Sequence, residues 1–381
     1  MNRKIKIGIN LLFINKFPGG SVTYSKKLLE AISVIDTENE YFVYVNKDCK
    51  ESDFVFGKNF KVKVLPFSNS NVFKRYLWEQ FVLPFYIQND KIFLLHSLGY
   101  VTPFLTRKKK VVSILDINYI GHGGDMDFLK RILLGTMVSF SAWFSTKIIT
   151  ISNFSKSQII RYTKIDHNKI SVTYLSGSND FVIDEQEQFD KVIEKYNLHG
   201  AYIIAFSSPS PHKNIKNLLI AFKILVVKYD KLKLVLVGYQ SKNGELMEFI
   251  EKENLSSKVV FTGYVPDEEV YPLICASKVF VFPSRYEGFG IPILDAQTCK
   301  VPIASSNAAS LPEIGGKGVT YFNPESANEM ADTISKYIEN EEFASKSIRL
   351  NTENRVLFSW EKTAKETISI YMNIINKIQH H

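Results

Sequence analysis

Apolar and polar positions alternate with two different periods along the first half of the chain. Short apolar runs predict buried strands at 4–10, 41–46, 61–65, 92–95, 111–115, 147–151 and 170–174. Between these runs, apolar residues recur with helical spacing, which predicts helices at 21–35, 71–88, 127–145 and 153–162. Short apolar strands separated by amphipathic helices are typical of a parallel sheet that is covered on both faces.

The second half repeats this alternation after a polar, charged segment at 177–200, where we place the domain boundary. Its predicted strands are 201–206, 232–238, 258–263, 278–283 and 301–306, and its predicted helices are 214–229 and 267–277, with Asp267 as N-cap or first-turn acid. A final amphipathic helix at 359–378, capped by Ser359, carries the apolar stripe Trp360, Ala364, Ile368, Tyr371, Ile375 and Ile378.

The pattern therefore predicts an α/β chain with two Rossmann-like, doubly wound domains. The predicted domains span 1–177 and 178–358, and a helical segment at 359–381 follows them. Ligands of such folds bind at the carboxyl ends of the strands, so we expect a ligand-binding cleft between the two halves.

The charge balance favours anionic partners without choosing among them. Lys and Arg total 47 against 39 for Asp and Glu, a net charge of +8, which suits nucleotide phosphates, nucleic acid or an acidic membrane surface. No basic stripe accompanies a nucleic-acid recognition motif, so nucleic acid is not expected as a partner.

Cysteine usage and the N-terminus indicate a cytoplasmic protein. The three cysteines, Cys49, Cys275 and Cys299, are far apart and form no CxxC or Cys/His cluster, so neither a metal site nor a disulfide framework is expected. The first residues, MNRKIKIGINLLFI, lack a small-residue cleavage site and are predicted to form the first strand rather than a signal peptide.

The segment SRYEGFGIPILDA at 284–296 is the strongest candidate for chemistry. It follows the predicted strand 278–283 and enters a helix through Gly288 and Gly290, which leaves backbone N–H groups at a helix start for an anion. Glu287 can accept hydrogen bonds from sugar hydroxyls, and Asp295 follows within the helix. An ordinary strand–turn–helix with a solvated Glu287 would have the same pattern.

The stretch EGFGIPILDA resembles the Glu-x7-Glu signature of retaining glycosyltransferases of the GT-B fold, in the large family 4 of nucleotide-sugar enzymes. The resemblance implies that Glu287 contacts the donor sugar and that Asp295, in place of the second Glu, contacts the nucleotide ribose. It also implies that backbone groups around Phe289, Gly290 and Ile291 face the phosphates or the sugar. The GT-B fold further implies a C-terminal helix that packs back on the first domain.

The segment SSPSPHKNIKNLLIAF at 207–222 resembles the phosphate-binding segment of the same family. Carried over, Lys213 neutralises the leaving diphosphate and is a catalytic residue. Relatives often have an Arg where this chain has Ser207 and Ser208, and His212 is a substitute hydrogen-bond donor beside Ser208. The alternative for Lys213 is a solvated lysine in the first turn of a helix.

Three further segments resemble parts of the first domain of the family. In FPGGSVTYSKKLLEAI at 17–32, Gly19 and Gly20 would let the backbone approach a diphosphate or acceptor closely. In VVSILDINYI at 111–120, relatives have His-Asp where this chain has Leu115-Asp116, which makes Asp116 a candidate catalytic and acceptor-binding residue. In LLHSLGYVTP at 94–103, His96 is a candidate replacement on the acceptor side, although a lone His more often packs or caps.

Other segments have mainly structural predictions. Ser152, within ITISNFSKSQII, is the expected cap of the helix at 153–162, and Ser310 and Glu313 are expected to start a helix near the nucleotide. The motif Asp125-Met126-Asp127 is expected to cap a helix rather than to bind a metal-nucleotide. The absence of the G-x-G-x-x-G spacing disfavours a dinucleotide-dependent oxidoreductase.

Two helices, 71–88 and 127–144, mix basic, aromatic and aliphatic residues. Such helices can lie on an anionic membrane surface, although we expect most of these residues to lie in the core. The basic run 107–110 adds support for peripheral attachment at the inner face of the membrane.

The resemblance as a whole implies a retaining hexosyltransferase that needs no metal or other cofactor. Its donor would be a nucleotide-diphosphate sugar such as GDP-mannose or a UDP- or dTDP-sugar, and its acceptor a hydroxyl of a glycan or a lipid-linked glycan in bacterial surface polysaccharide synthesis. Two alternatives remain: a nucleotide-sugar epimerase of the same fold, and a non-catalytic binding partner in which Ser207, Ser208, Leu115 and Asp295 reflect a weakened site.

Overall fold

The computed structural model describes residues 4–15, 19–118, 128–177, 186–238 and 244–379. The chain divides into two compact units, which are described separately. Unit 1 comprises Met1–Leu175 together with Ser359–His381, and unit 2 comprises Ser176–Phe358. The last helix therefore belongs to the first unit, as the GT-B resemblance implied.

Unit 1 contains a parallel sheet of seven strands among its described residues. The strands are β1 (Lys6–Asn10), β2 (Glu40–Asn46), β3 (Phe60–Leu65), β4 (Leu94–Ser97), β5 (Lys109–Ser113), β6 (Lys147–Thr150) and β7 (Ile170–Val172), in the order β3-β2-β1-β4-β5-β6-β7. Its helices are α1 (Gly20–Ile35), α2 (Val72–Leu77), α3 (Leu83–Asn89), α4 (Phe128–Phe144), α5 (Asn153–Thr163) and α14 (Trp360–Gln379). A π-helical turn, Trp78–Val82, joins α2 to α3.

Unit 2 contains a parallel sheet of six strands among its described residues. The strands are β8 (Tyr202–Ser207), β9 (Lys233–Gly238), β10 (Val259–Gly263), β11 (Val279–Phe282), β12 (Ile303–Ser306) and β13 (Thr320–Phe322), in the order β10-β9-β8-β11-β12-β13. Its helices are α6 (Gln186–Lys195), α7 (Ile215–Lys228), α8 (Glu245–Lys252), α9 (Asp267–Cys275), α10 (Ile291–Thr298), α11 (Leu311–Gly315), α12 (Ala327–Glu339) and α13 (Glu341–Arg355).

Both sheets confirm the prediction of doubly wound α/β folds. In each unit the first strand lies in the middle, and the chain runs outwards to one edge before it returns to build the other side. This strand order places a topological switch point between β1 and β4 in unit 1, and between β8 and β11 in unit 2. Ligands of such sheets bind outside the carboxyl ends of the strands at this point.

Burial explains why these segments form central strands and covering helices. The strand residues Ile203, Ile204 and Phe280 are fully or almost fully buried because helices cover both faces of the sheet of unit 2. Helix α7 buries the predicted face that contains Leu218 and Phe222. Three capping predictions are also confirmed: Ser152 and Ser359 accept hydrogen bonds from the first turns of α5 and α14, and Asp267 lies in the first turn of α9.

Helix α14 is anchored in unit 1 by buried polar contacts as well as by its apolar stripe. Tyr371 is fully buried, and its hydroxyl lies 2.6 Å from Nδ1 of His96 on β4. The hydroxyl of Thr363 donates a hydrogen bond to the carbonyl oxygen of Tyr174. The helix packs against α1, so the C-terminal segment completes the core of the first unit.

The structure corrects the expectation that α4 is mainly a core helix. Six of its large apolar side chains are between 46% and 73% exposed, namely Phe128, Leu129, Ile132, Phe140, Trp143 and Phe144. Only Val138, Ser141 and Ala142 are buried, because the sheet contacts just one narrow side of the helix. In the same region, Lys110 is buried and its amino group donates to the carbonyl oxygen of Thr106, so it does not contribute to a basic surface.

No helix within the described ranges has the length and apolar character that crossing a membrane requires.

Candidate functional site

The candidate site lies at the switch point of the sheet in unit 2. After β8 the chain forms a 3-10 turn, Pro211–Lys213, and then begins α7. After β11 it passes through the loop 283–290 and begins α10. Because β8 and β11 are adjacent and parallel, the two connections leave the sheet at the same edge, where a ligand is expected to bind.

Lys213 and Glu287 meet at this edge. Nζ of Lys213 lies 2.7 Å from Oε1 of Glu287, although the two residues are 74 positions apart in the sequence. Their side chains are 23% and 16% exposed, so both charges are partly buried and still reachable from solvent. The Lys213 ammonium also lies 5.6 Å from the centroid of the Phe282 ring, within the range of a cation–π interaction. The site thus places a cation and a carboxylate in direct contact.

Asn214 ties the two connections together. Its Nδ2 donates hydrogen bonds to the carbonyl oxygens of Pro283 (3.0 Å) and Pro324 (2.8 Å), which follow β11 and β13. Its backbone has φ of 61°, in the left-handed region that Asn tolerates better than most residues. The conformation and the two hydrogen bonds fix Lys213 relative to the loop that carries Glu287. This role was not predicted from the sequence, and only the Lys-Asn pair hinted at it.

The 211–213 turn and the 283–290 loop are also joined by Arg285. Its backbone N–H donates to the carbonyl oxygen of His212 at 2.7 Å. Its guanidinium forms a two-pronged ion pair with Glu325, at 2.5 Å from Nε to Oε1 and 2.9 Å from Nη2 to Oε2. Bidentate pairs of this kind fix the orientation of both partners. The loop is therefore held from both sides, which preorganises Glu287.

Gly290 and Ser310 shape the entry into α10. Gly290 has φ of +104°, and a Cβ atom added there would lie 2.8 Å from Cδ2 of Leu311, so both conformation and space require glycine. The buried hydroxyl of Ser310 lies 2.8 Å from the carbonyl oxygen of Glu287 and 2.9 Å from that of Phe289. Ser310 thus holds these carbonyl groups inward, a contact that the sequence did not reveal.

The remaining residues predicted for donor binding are placed around this loop. Gly288 and Phe289 are buried, and the ring of Phe289 contacts Phe358 edge-on at 6.0 Å between centroids. Ile291 is the first residue of α10, whose N-terminal backbone N–H groups have no acceptor within the helix. The hydroxyl of Ser208 accepts a hydrogen bond from the backbone N–H of Ser210 and so supports the turn that precedes Lys213.

Asp295 lies on α10 and is oriented by a neighbouring hydroxyl. The hydroxyl of Tyr271 donates to Oδ1 of Asp295 at 2.8 Å. The positive charge of Arg355 is close enough to interact with the carboxylate electrostatically. Gly177 approaches the same carboxylate so closely that a Cβ atom there would lie 2.7 Å from Oδ1. The side chain of Asp295, which is shorter than the Glu of the family signature, is therefore held in a fixed orientation.

Two buried polar atoms near this site have no hydrogen-bond partner among the described residues. They are Oδ1 of Asn214 and Oγ of Ser284. Both residues are at most 2% exposed. Buried polar atoms without a partner are uncommon in folded proteins and are often satisfied by ligand or water. Both atoms adjoin the two connections that carry Lys213 and Glu287.

The candidate residues of unit 1 have different environments. Gly19 is the N-cap of α1 in an extended conformation, and the space around Gly19 and Gly20 is open, so no backbone strain requires glycine there. Asp116 is half-buried after β5, and its Oδ1 accepts a hydrogen bond from the backbone N–H of Asn118. The motif Asp125-Met126-Asp127 lies outside the described residues.

The structure does not bring His96 to a ligand-binding surface. Its side chain is fully buried, Nδ1 lies 2.6 Å from the Tyr371 hydroxyl, and Nε2 lies 2.8 Å from Oγ of Ser113. Burial lowers the pKa of His96 to about 3, so the imidazole is neutral at physiological pH. Both ring nitrogens are engaged inside unit 1, which corrects the expectation that His96 contacts an acceptor.

The part of the chain that the structure describes holds no cluster of three or more His, Cys, Asp or Glu side chains placed to bind a metal ion.

Comparison with known proteins identifies related sequences. Residues 186–355 match the family model described as glycosyl transferases group 1. The O-antigen chain mannosyltransferase B of Escherichia coli is 32% identical over 227 residues, which cover 59% of this chain and 60% of that protein. The chain thus spans less than two thirds of this curated relative.

Comparison with solved structures identifies the fold. The sucrose-phosphate synthase of Thermosynechococcus elongatus matches 98% of this chain and 100% of its own, with a TM-score of 0.75 and 16% identity. Anabaena HepE, solved in complex with UDP and glucose, matches 97% of this chain and 99% of its own, with a TM-score of 0.71 and 17% identity. These low identities show a shared fold and nothing finer.

Proposed function

We propose that this chain, whose residues 186–355 match the glycosyl transferases group 1 family model, transfers a sugar from a nucleotide-diphosphate donor to a hydroxyl of a glycan or lipid-linked glycan. The proposed donor sugar is mannose, because the similar Escherichia coli protein is named as an O-antigen mannosyltransferase. The same name supports a role in the synthesis of a bacterial surface polysaccharide.

The single observation that carries the proposal is the contact between Lys213 and Glu287. In a nucleotide sugar, the anomeric carbon is bonded directly to the second phosphate. A cation that binds this phosphate and a carboxylate that binds the sugar hydroxyls must therefore lie within a few ångströms of each other. Their separation of 2.7 Å, at the switch point of a doubly wound sheet, meets this requirement.

The ion pair also accounts for how the site accepts its donor. Without a ligand, Lys213 and Glu287 neutralise each other, which limits the cost of holding two partly buried charges. A bound diphosphate draws the ammonium towards its oxygens and leaves the carboxylate to accept hydrogen bonds from hydroxyls. The hydrogen bonds of Asn214 and Arg285 hold the 211–213 turn and the 283–290 loop together while the ion pair separates.

The proposed chemistry is a displacement at the anomeric carbon with retention of configuration. The bond between that carbon and the phosphate oxygen breaks while a bond to the acceptor oxygen forms on the same face. The acceptor proton passes to the leaving diphosphate. Lys213 stabilises the negative charge that develops on this group, as preorganised charges do in enzyme sites. Glu287 orients the sugar and offsets positive charge on its ring.

The other candidate residues have supporting roles in this proposal. Asp295, oriented by Tyr271, accepts hydrogen bonds from the ribose. Backbone N–H groups at the start of α10 face the phosphates, and Ser208 and His212 line the turn beside them. Gly19, Gly20 and Asp116 remain predicted contacts to the donor or acceptor from unit 1. No metal ion or other cofactor is part of the proposal.

The donor is tested by a thermal-shift screen followed by a transfer assay. GDP-mannose is expected to raise the melting temperature more than UDP-glucose or a dTDP-sugar, since a ligand that binds only the native state stabilises it. Nucleotide release with and without a glycan acceptor then separates the alternatives. Transfer requires the acceptor, whereas acceptor-independent product formation would favour an epimerase. Binding without any turnover would favour a non-catalytic partner and contradict the proposed activity.

We also propose that the exposed side of α4 contacts an anionic membrane surface. The six exposed apolar side chains of this helix, defined above, are accompanied by Lys130 and Arg131, and the helix contains no acid. Phe140 and Phe144 extend an aromatic cluster to Phe104, at 5.8 and 5.9 Å between centroids. A wide apolar face flanked by cations is the pattern of helices that lie in the interface of anionic bilayers.

Vesicle co-flotation tests the membrane contact. Wild-type protein is expected to float with phosphatidylglycerol vesicles and much less with phosphatidylcholine vesicles, because the attraction includes charge. Exchanging Trp143 and Phe144 together for serine should abolish most of the binding. The matched control is Val227→Ser, which removes an exposed apolar side chain (87% exposed) from unit 2. Equal flotation of the double variant and the wild type would exclude α4 as the contact.

A further inference from the structure

A cavity of about 530 Å³ lies in unit 1, between the start of α2 and the first turns of α4. It also borders the segment that follows β4, the strand beside the switch point of this sheet. The lining residues are Phe13, Ser70, Asn71, Val72, Phe73, Arg75, Tyr76, Gly99, Tyr100, Lys130, Leu133 and Leu134. Its position at the carboxyl end of β4 is one where doubly wound sheets bind ligands.

The lining of this cavity has a cationic part and an apolar part. Among the described residues, its lining contains two cations, Arg75 and Lys130, and no carboxylate. The lining also has an apolar part, which includes Leu133, Leu134 and the exposed ring of Phe73. A ligand that fits both parts has a negative group and an apolar portion.

Arg75 has binding capacity that the protein does not use. Its Nη1 makes a long hydrogen bond of 3.4 Å to Oδ1 of Asn69, and its guanidinium lies over the Tyr76 ring at 4.9 Å. Its Nε is buried and has no hydrogen-bond partner among the described residues. A guanidinium offers a planar set of donors that matches phosphate and carboxylate oxygens. The contact with the Tyr76 ring lies within the cavity lining, which contains both residues.

Glu79 lies one helical turn beyond Arg75 and interacts with it electrostatically. Glu79 is 1% exposed, and Nδ2 of Asn10, at the end of β1, lies 3.4 Å from its Oε1. Its Oε2 is buried without a partner among the described residues. Burial raises the pKa of Glu79 to about 7, while the charge of Arg75 opposes this rise. The residue sits in the π-helical turn, a geometry that often occurs at functional sites.

We propose that this cavity binds a phosphate ester that is joined to an apolar or glycosyl group, with Arg75 and Lys130 as the phosphate ligands. The inference rests on the proposed function, because such a compound is then the acceptor substrate. The phosphate enters from the side of the two cations, and the attached group lies along Phe73, Leu133 and Leu134. The phosphate ester is either a lipid headgroup or a free sugar phosphate, which share this chemistry.

Binding of three small probes tests the proposal by isothermal titration calorimetry on the full chain. The probes are octyl phosphate, octyl glucoside below its micelle concentration, and mannose 1-phosphate. Octyl phosphate is expected to bind and octyl glucoside is not, because the cations require a negative group. Tighter binding of octyl phosphate than of mannose 1-phosphate indicates a lipid headgroup, and the reverse order indicates a free sugar phosphate.

Charge-matched variants locate the binding. Arg75→Gln and Lys130→Gln are each expected to weaken the binding of the preferred phosphate ester by about tenfold, the effect of losing one charge-assisted contact. Lys74→Gln is the control, because it removes the same charge from a neighbouring position outside the cavity lining. Lys130 is exposed, so its variant reports on binding even if loss of Arg75 disturbs the buried Glu79.

Two results would overturn the inference. One is the absence of binding of either phosphate ester to the wild type. The other is equal binding by wild type, Arg75→Gln and Lys130→Gln, together with loss of binding in Lys213→Ala, since the phosphate would then occupy the proposed donor site. In both cases the donor screen and the transfer assay still decide the proposed function independently.

Discussion

Lys213→Ala is expected to lower the turnover number for sugar transfer at least about a hundredfold, the usual effect of removing one preorganised group that stabilises developing charge. The ammonium of Lys213 is placed where the proposed diphosphate leaves, so its loss raises the barrier of the bond-breaking step. The melting temperature should change little. The ion pair with Glu287 is partly exposed, and Asn214 and Arg285 hold the loops without it.

Steady-state kinetics and calorimetry check this result. Glu287→Ala is expected to cause a loss of similar size, since the sugar is no longer oriented. The matched control is Lys216→Ala, which removes a lysine from the first turn of α7, where it forms an exposed ion pair with Glu245. If Lys213→Ala or Glu287→Ala turns over at close to the wild-type rate, and Lys216→Ala is also normal, the ion pair is not part of the mechanism.

Much of the fold was predictable because the central strands are short, apolar and regularly spaced. The predicted strand at 278–283 appears as β11 (Val279–Phe282), and the predicted helix at 214–229 appears as α7. Strand β13 has only three residues and gives no clear periodic signal, and α6 lies in the polar segment that was assigned to the domain boundary. Short or polar elements are stabilised by tertiary contacts that a local pattern does not contain.

The proximity of Lys213 and Glu287 was implied by the family resemblance, and the strand order of the sheet explains it. Once two neighbouring parallel strands are assigned, the residues at their carboxyl ends must meet at one edge of the sheet. The elements that hold these side chains in place were not predictable in the same way. The hydrogen bonds of Asn214 reach across 69 and 110 residues, and Ser310 contacts carbonyl groups more than 20 residues earlier. Such contacts depend on the packed fold.

The environment of single side chains was the least predictable feature. Helix α4 is apolar around much of its circumference, a pattern that usually indicates a buried helix. Its aromatic residues are instead exposed, because the neighbouring elements cover only the side that contains Val138 and Ala142. Conversely, His96 follows an apolar strand pattern that did not distinguish a cleft from the core. The structure places it beneath α14, an element 275 residues later in the chain.

His96 is expected to make unit 1 unstable in acid, and His96→Gln to remove most of that dependence. The folded protein holds His96 with its pKa lowered to about 3, whereas an unfolded histidine titrates near the ordinary value of 6.5. The stabilising effect of the neutral ring is therefore fully present above pH 6.5 and is lost as the pH falls towards 3. At pH 5.0 the loss amounts to about 2 kcal/mol, from roughly 1.4 kcal/mol per pH unit.

Tryptophan fluorescence during urea unfolding measures this effect in unit 1 alone, because Trp78, Trp143 and Trp360 all belong to that unit. His96→Gln loses hydrogen bonds to Tyr371 and Ser113 and should be less stable at pH 7.5, by about 1–3 kcal/mol. Its free energy of unfolding should nevertheless fall by about 2 kcal/mol less than that of the wild type between pH 7.5 and pH 5.0. His167→Gln, at an exposed histidine of the same unit, is the control and should keep the wild-type dependence. If His96→Gln and wild type lose equal stability over this range, the buried neutral imidazole is not what makes unit 1 sensitive to acid.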